Sequence, residues 1–176
     1  NKNMMRRFAA VPCAETDWCS WWEIDRYGQP CPVDFTNNRD FWYNLPANFD
    51  VIDAIYRLYR FSGDDDYLNL PEIRHFVATS LENYVARWDR DGDGIPDRVL
   101  SEGRRGLTSY DESDFAKSRV KVGGDLIAIQ ARGTLSAAEM YGLRGQKELK
   151  RIYERRGAEL IQRTLALRDP ERGFAE

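Results

Sequence analysis

Histidine is almost missing from this sequence: His75 is the single one in 176 residues. That argues against a histidine-rich metal site. Cysteine is scarce as well, with Cys13, Cys19 and Cys31 all near the N-terminus. An odd number cannot close a full intrachain framework, which leaves one disulfide beside a free thiol in an exported protein, or three reduced thiols. Their spacings match no standard zinc pattern. No apolar run approaches the ~20 residues that span a bilayer, so no membrane contact is expected. A net charge of -3 gives no electrostatic footprint for nucleic acid. No signal peptide is visible and the first residue is Asn1, so the chain is expected to be processed or a portion of something longer.

The residues that are present, 42% hydrophobic, suffice for one globular core. Residues 1–46 read as irregular, punctuated by prolines and by a turn at Tyr27-Gly28-Gln29-Pro30. This segment is rich in rings: Trp18, Trp21, Trp22, Tyr27, Phe35, Phe41, Trp42 and Tyr43. They suit the plug of a helical core, and, interleaved with charged residues, also a surface on which sugars stack.

Periodicity then predicts helices. Phe49, Ile52, Ile55, Tyr56 and Tyr59 mark one over 47–61, stopped by Ser62-Gly63. An acidic turn, Asp64-Asp65-Asp66, leads to a second that starts near Pro71. Its stripe is Ile73, Phe76, Val77, Leu81, Tyr84, Val85 and Trp88, with His75 off the stripe in a surface or supporting role. A third is expected over 125–142, weakened at Gly133, and a fourth over 146–167. The turns Tyr59-Arg60-Phe61-Ser62-Gly63 and Tyr141-Gly142-Leu143-Arg144-Gly145 keep tyrosine and glycine in step. The chain therefore reads as a repeat of long loop, helix, short turn, helix: hairpins over 47–88 and 125–167, separated by a site loop over 89–124. Packed so, the long loops share one end, and function belongs there.

That loop carries Asp89, Asp91, Asp93, Gly94 and Asp97 in a D-x-D-x-D-G-x-x-D run. Alternating carboxylates on a glycine turn converge on a hard cation, and calcium takes 6–8 oxygen ligands. The run resembles the opening of an EF-hand loop, but Leu100 stands where the last, bidentate glutamate is due. The alternative is an acidic turn that caps the helix, its residues serving turn geometry alone. Further on, Tyr110-Asp111-Glu112-Ser113-Asp114 sets carboxylates beside a phenol. A carboxyl desolvated by such neighbours rises toward the pKa a general acid needs.

The order of these segments resembles the (α/α)6 six-hairpin glycosidases, the superfamily of trehalase, glucoamylase and the processing α-glucosidases. The similarity covers residues 37–167. It rests on Asn38-Arg39-Asp40-Phe41-Trp42-Tyr43, on Asp91-Gly92-Asp93-Gly94-Ile95-Pro96, on Ser109-Tyr110-Asp111-Glu112-Ser113 and on Val122-Gly123-Gly124-Asp125-Leu126-Ile127-Ala128. Ser109 stands where the family has glycine, and Val-Gly-Gly-Asp replaces Val-Asp-Leu-Asn. The resemblance implies an all-α toroid of helical hairpins, with a glycoside hydrolase activity on an oligo- or polysaccharide. It implies Asp111 as general acid, Arg39, Asp40 and Glu112 as substrate-binding residues, and Trp42 and Tyr110 as stacking rings. Calcium is the one cofactor expected, with no organic cofactor. Twelve helices with their connections need about 300 residues or more, so the remaining hairpins and the catalytic base are expected outside this chain. A secreted or periplasmic setting is the expectation that follows from aromatic clefts and a calcium loop. A polysaccharide lyase with Tyr110 handling the proton, and a non-catalytic carbohydrate- or calcium-binding helical module, are the alternatives.

Overall fold

The structure, a computed structural model, describes residues 2–99, 105, 122–169 and 173–174. It is mostly helical, 61% helix against 6% strand, as periodicity predicts. Helix α1 spans Lys2–Ala9, α2 Ala47–Ser62 and α3 Asp66–Asn69. Helix α4, Pro71–Thr79, continues through a π-helical stretch, Ser80–Tyr84, into α5, Val85–Trp88. Helices α6, Gly124–Leu143, and α7, Lys147–Ala166, follow. Two short antiparallel pairs accompany them: β1 (Phe35–Asn37) with β2 (Asp40–Phe41), and β3 (Arg168–Asp169) with β4 (Gly173–Phe174).

The expectation of an irregular 1–46 segment is corrected by α1 and by the β1–β2 hairpin. Helix α1 buries Met5 and Ala9, and its basic side chains fasten it to the turn region. Lys2 Nζ bonds Asp64 Oδ2 at 2.7 Å and Asp66 Oδ2 at 2.6 Å, and Arg6 Nε bonds Glu72 Oε1 at 2.5 Å. All three cysteines are free, and Cys19 is completely buried. Burial raises its thiol pKa, which keeps it protonated.

Helices α2 and α6 run parallel, since Phe49 meets Gly133 and Asp53 meets Ser136 one turn further on. A Cβ on Gly133 would lie 2.8 Å from the Phe49 carbonyl oxygen. This glycine is therefore a point of backbone contact, where sequence suggested only a weak spot in the helix. Asp53, buried at the same seam, accepts Ser136 Oγ at 2.9 Å and pairs with Arg57 and Arg132, each at 2.8 Å. Helix α7 folds back against α6, stacking Tyr153 on Tyr141 with ring centroids 5.3 Å apart. The outer helices also run in step: Glu82 of the π stretch meets Tyr153 and Arg156, and Arg144 Nη1 donates to the Leu68 carbonyl at 3.1 Å. Two hairpins thus stack as repeats.

The two short turns are alike, as the matched tyrosines and glycines predict. Gly63 and Gly145 both take left-handed φ, 67° and 75°. In the first, Gly63 N–H donates to Tyr59 O at 2.7 Å; in the second, Gln146 N–H donates to Tyr141 O at 2.9 Å. These are αL helix ends that glycine adopts without strain.

Candidate functional site at the long-loop end

Asn48, at the start of α2, ties the N-terminal segment to the hairpins. Its buried amide accepts Ser20 N–H at 3.1 Å and Tyr43 OH at 2.6 Å, and donates to Trp18 O and Ser80 Oγ, each at 3.0 Å. A buried amide needs such saturation, because an unpaired polar group costs ~1–3 kcal/mol. Rings extend from there: Trp21, Phe35, Phe41, Tyr43, Tyr84 and Phe49 form a continuous series of contacts 5.7–6.3 Å between centroids. Phe41 and Tyr43 are buried, so for them the core-plug role holds. Burial also lifts the Tyr43 and Tyr84 phenols well above their ordinary range, so neither serves as a base.

Asp17 is a second junction, one that no spacing in the sequence points to. Asp17 and Trp18 hold left-handed φ of 51° and 63°, a conformation costly for residues with a Cβ. That bend turns the Asp17 carbonyl to the Trp88 indole N–H at 3.2 Å. Its carboxylate meets Arg87 at 2.8 Å and the buried Arg105 at 2.7 Å. Arg105 also lies 5.0 Å over the Phe41 ring. The N-terminal segment, the end of α5 and one residue of the site loop therefore meet at one end of the hairpins, opposite Gly63 and Gly145.

The acidic loop begins at this end. Asp89 takes three backbone N–H groups: Gly92 at 2.8 Å, Asp93 at 3.1 Å and Gly94 at 2.9 Å. Gly92 and Gly94, at φ 80° and 83°, supply the backbone this winding needs. Asp97, buried, accepts Arg90 N–H at 2.9 Å. Carboxylate oxygens of Asp89, Asp91 and Asp97 lie within 4.8 Å of one another, a grouping able to hold a cation. Asp93 stands apart from that group. One of its oxygens caps Ile95 N–H at 2.8 Å, and Arg163 Nη1 lies 3.4 Å from the other and 2.6 Å from the Asp93 carbonyl.

Of the remaining candidates, Arg39 and Asp40 sit exposed on the β1–β2 hairpin, and Trp42 is half-buried behind it with its N–H on Asp34 O at 2.8 Å. Tyr110, Asp111 and Glu112 lie outside the described residues. A carboxylate group that spacing did not reveal gathers where α2 and α6 begin: Asp50, Asp53 and Asp125. Loss of hydration, with Asp53 and Asp125 nearby, pushes the Asp50 carboxyl above its ordinary range, against the pull of Arg132. The raised Asp50 carboxyl thus stands in the first turn of α2, at the end opposite the short turns. Comparison of the chain with family models, curated proteins and solved structures finds no match.

Proposed function

We propose that this chain is an arc of an (α/α)6 toroid from a glycoside hydrolase, with its substrate cleft at the long-loop end. The observation that carries the reading is the parallel stacking of the two hairpins, α2 on α6 and the outer helices in step. In the proposed ring, repetition of that step places every inner helix start on one side. Asp111 is the proposed general acid, protonating the departing glycosidic oxygen, and a carboxylate from a further hairpin activates water. In an inverting pair the two carboxyls stand about 6.5–9.5 Å apart, leaving room for that water. Arg39, Asp40 and Glu112 bind hydroxyls of a carbohydrate substrate, and Trp42 and Tyr110 take its apolar faces. A calcium ion held by Asp89, Asp91 and Asp97 would stiffen the loop that leads to Asp111; a rise in Tm with added calcium, lost in Asp91→Asn, tests that.

The decisive experiment measures sugar release from an oligosaccharide panel by the longest polypeptide carrying this sequence, wild type beside Asp111→Asn. Release that falls by about two or more orders of magnitude in the variant supports the assignment. Unchanged release removes Asp111 from the chemistry. An ultraviolet-absorbing unsaturated product identifies a lyase, and saturable sugar binding without turnover a binding module.

A further inference from the structure

At the short-turn end, between α4 and the turn that joins α6 to α7, lies an open cavity of about 400 Å³. That volume falls within the range of small-molecule sites, about 300–1,000 Å³. The cavity sits at the end of the hairpins opposite the proposed cleft. Its lining includes none of the residues assigned above to the acid, to calcium or to substrate.

The charge of that lining has one sign. Arg74, His75, Arg144 and Gln146 border the space, and among the described residues no carboxylate does. At the other end of the hairpins, Asp17 answers both Arg87 and Arg105. Arg144 is partly buried and is held by neutral groups instead. Its Nε donates to Gln146 Oε1 and its Nη1 to the Leu68 carbonyl, each at 3.1 Å. Its guanidinium carbon lies 4.6 Å from the centre of the Tyr141 ring. Burial, together with the neighbouring Arg74 charge, pulls the Arg144 guanidinium below its ordinary range, against the opposing effect of Tyr141. Burial raises the Tyr141 phenol, which therefore stays protonated and brings no negative charge. An arginine does not answer by losing its proton, so two like charges border one space.

The lining selects the ligand by its charge. A cation or a neutral molecule leaves both guanidiniums unbalanced, and a monocarboxylate balances one of them. A phosphate monoester carries about -1.5 to -2 near pH 7, with three acceptor oxygens that suit two guanidinium forks. Gln146, whose Oε1 is taken by Arg144, keeps its amide N–H groups to donate. Pro71, Ala78 and Leu149 add an apolar border, which suits the organic part of an ester better than a bare ion. We propose that this cavity binds a small phosphate monoester, its phosphate between Arg74 and Arg144 and its organic part along Pro71, Ala78 and Leu149. The site stands whether or not the chain belongs to a hydrolase.

Calorimetric titration of the longest polypeptide carrying this sequence, in buffer free of phosphate and sulfate, tests it. The probes are glycerol 3-phosphate, phenyl phosphate, inorganic phosphate and glycerate. At least one of the two esters should bind saturably, and more tightly than inorganic phosphate or glycerate. Arg74→Gln, at an exposed position on α4 where folding is safe, should weaken that binding about tenfold or more. Arg144→Gln should do the same, with its Tm measured alongside because it also releases the Leu68 carbonyl. Asp111→Asn should leave ester binding intact, which separates this site from the proposed acid. Absence of binding by both esters overturns the proposal. So does affinity unchanged in Arg74→Gln, or inorganic phosphate or glycerate binding as tightly as the esters.

Discussion

The two hairpins meet along two seams, and the seams are built on opposite terms. On the inner one, α2 approaches α6 until Gly133 lies against the Phe49 backbone, and the buried Asp53 is met by Ser136 and two arginines. On the outer one, the π-helical stretch stands off from α7, and polar side chains border a cavity of about 320 Å³. Close packing with saturated hydrogen bonds leaves nothing for a ligand to improve. The inner seam therefore holds the repeat by backbone contact, and the outer seam by half-exposed polar pairs.

Gly133→Val tests that contrast most severely. Its side chain would collide with backbone, which cannot move aside as a flexible side chain does, and the expected cost is about 3 kcal/mol in urea unfolding. An unchanged midpoint would show that the inner seam is not closed by this contact. Asp53→Ala should cost about 1–3 kcal/mol by stranding the Ser136 hydroxyl. Arg57 and Arg132 are more than half exposed and rehydrate, so the ionic part is discounted. In a double-mutant cycle Ser136→Ala should add little once Asp53 is gone; full additivity would deny the bond.

Gly157→Ala offers the milder counterpart on the α6–α7 face. Its Cβ would meet Leu135 side-chain carbons at 2.6 Å, and these can rotate away. The gain in helix propensity, about 1 kcal/mol, offsets the repacking, so thermal unfolding should move by ~1 kcal/mol or less. The smallest expected effect concerns Asp50. Its carboxyl holds a proton more tightly in the folded chain than in the unfolded one, so its contribution to stability falls as pH rises through the folded-state pKa. Asp50→Asn should therefore raise Tm at neutral pH, and the advantage should vanish below the ordinary carboxylate range. A constant difference across pH would refute the shift.

Much of the framework was legible because its signals are long. The stripes of α2, α6 and α7 and the left-handed stops at Gly63 and Gly145 specify elements within a residue of those observed. Helix α1 escaped notice since it turns just two residues, Met5 and Ala9, fully into the core and is otherwise fastened by ion pairs from Lys2 and Arg6 to residues more than sixty positions away. Strands of two or three residues are too short to show alternation. Gly133 shows the limit of reading glycine locally: the same residue is a weakness in an isolated helix and a necessity against a neighbour. The junctions at Asp17 and Asn48 depend on pairings across distant segments, which no local pattern announces. For the acidic loop, spacing anticipated the gathering of Asp89, Asp91 and Asp97. It also counted Asp93, whose carboxylate instead caps Ile95 N–H and lies 3.4 Å from Arg163 of another helix.

The π-helical stretch also governs angular phase. Phe76, Ser80, Tyr84 and Trp88 are all fully buried at a strict spacing of four. In a uniform α-helix each such step overshoots a full turn by about 40°, so Trp88 would stand about 120° away from Phe76 around the axis. A wider turn at Ser80–Tyr84 takes up the excess and returns Trp88 to the core side. That tryptophan is where Asp17 docks, and the next residue, Asp89, winds the acidic loop. One extra residue in a single turn thus acts as an indexing step, setting the compass bearing from which everything after the first hairpin departs.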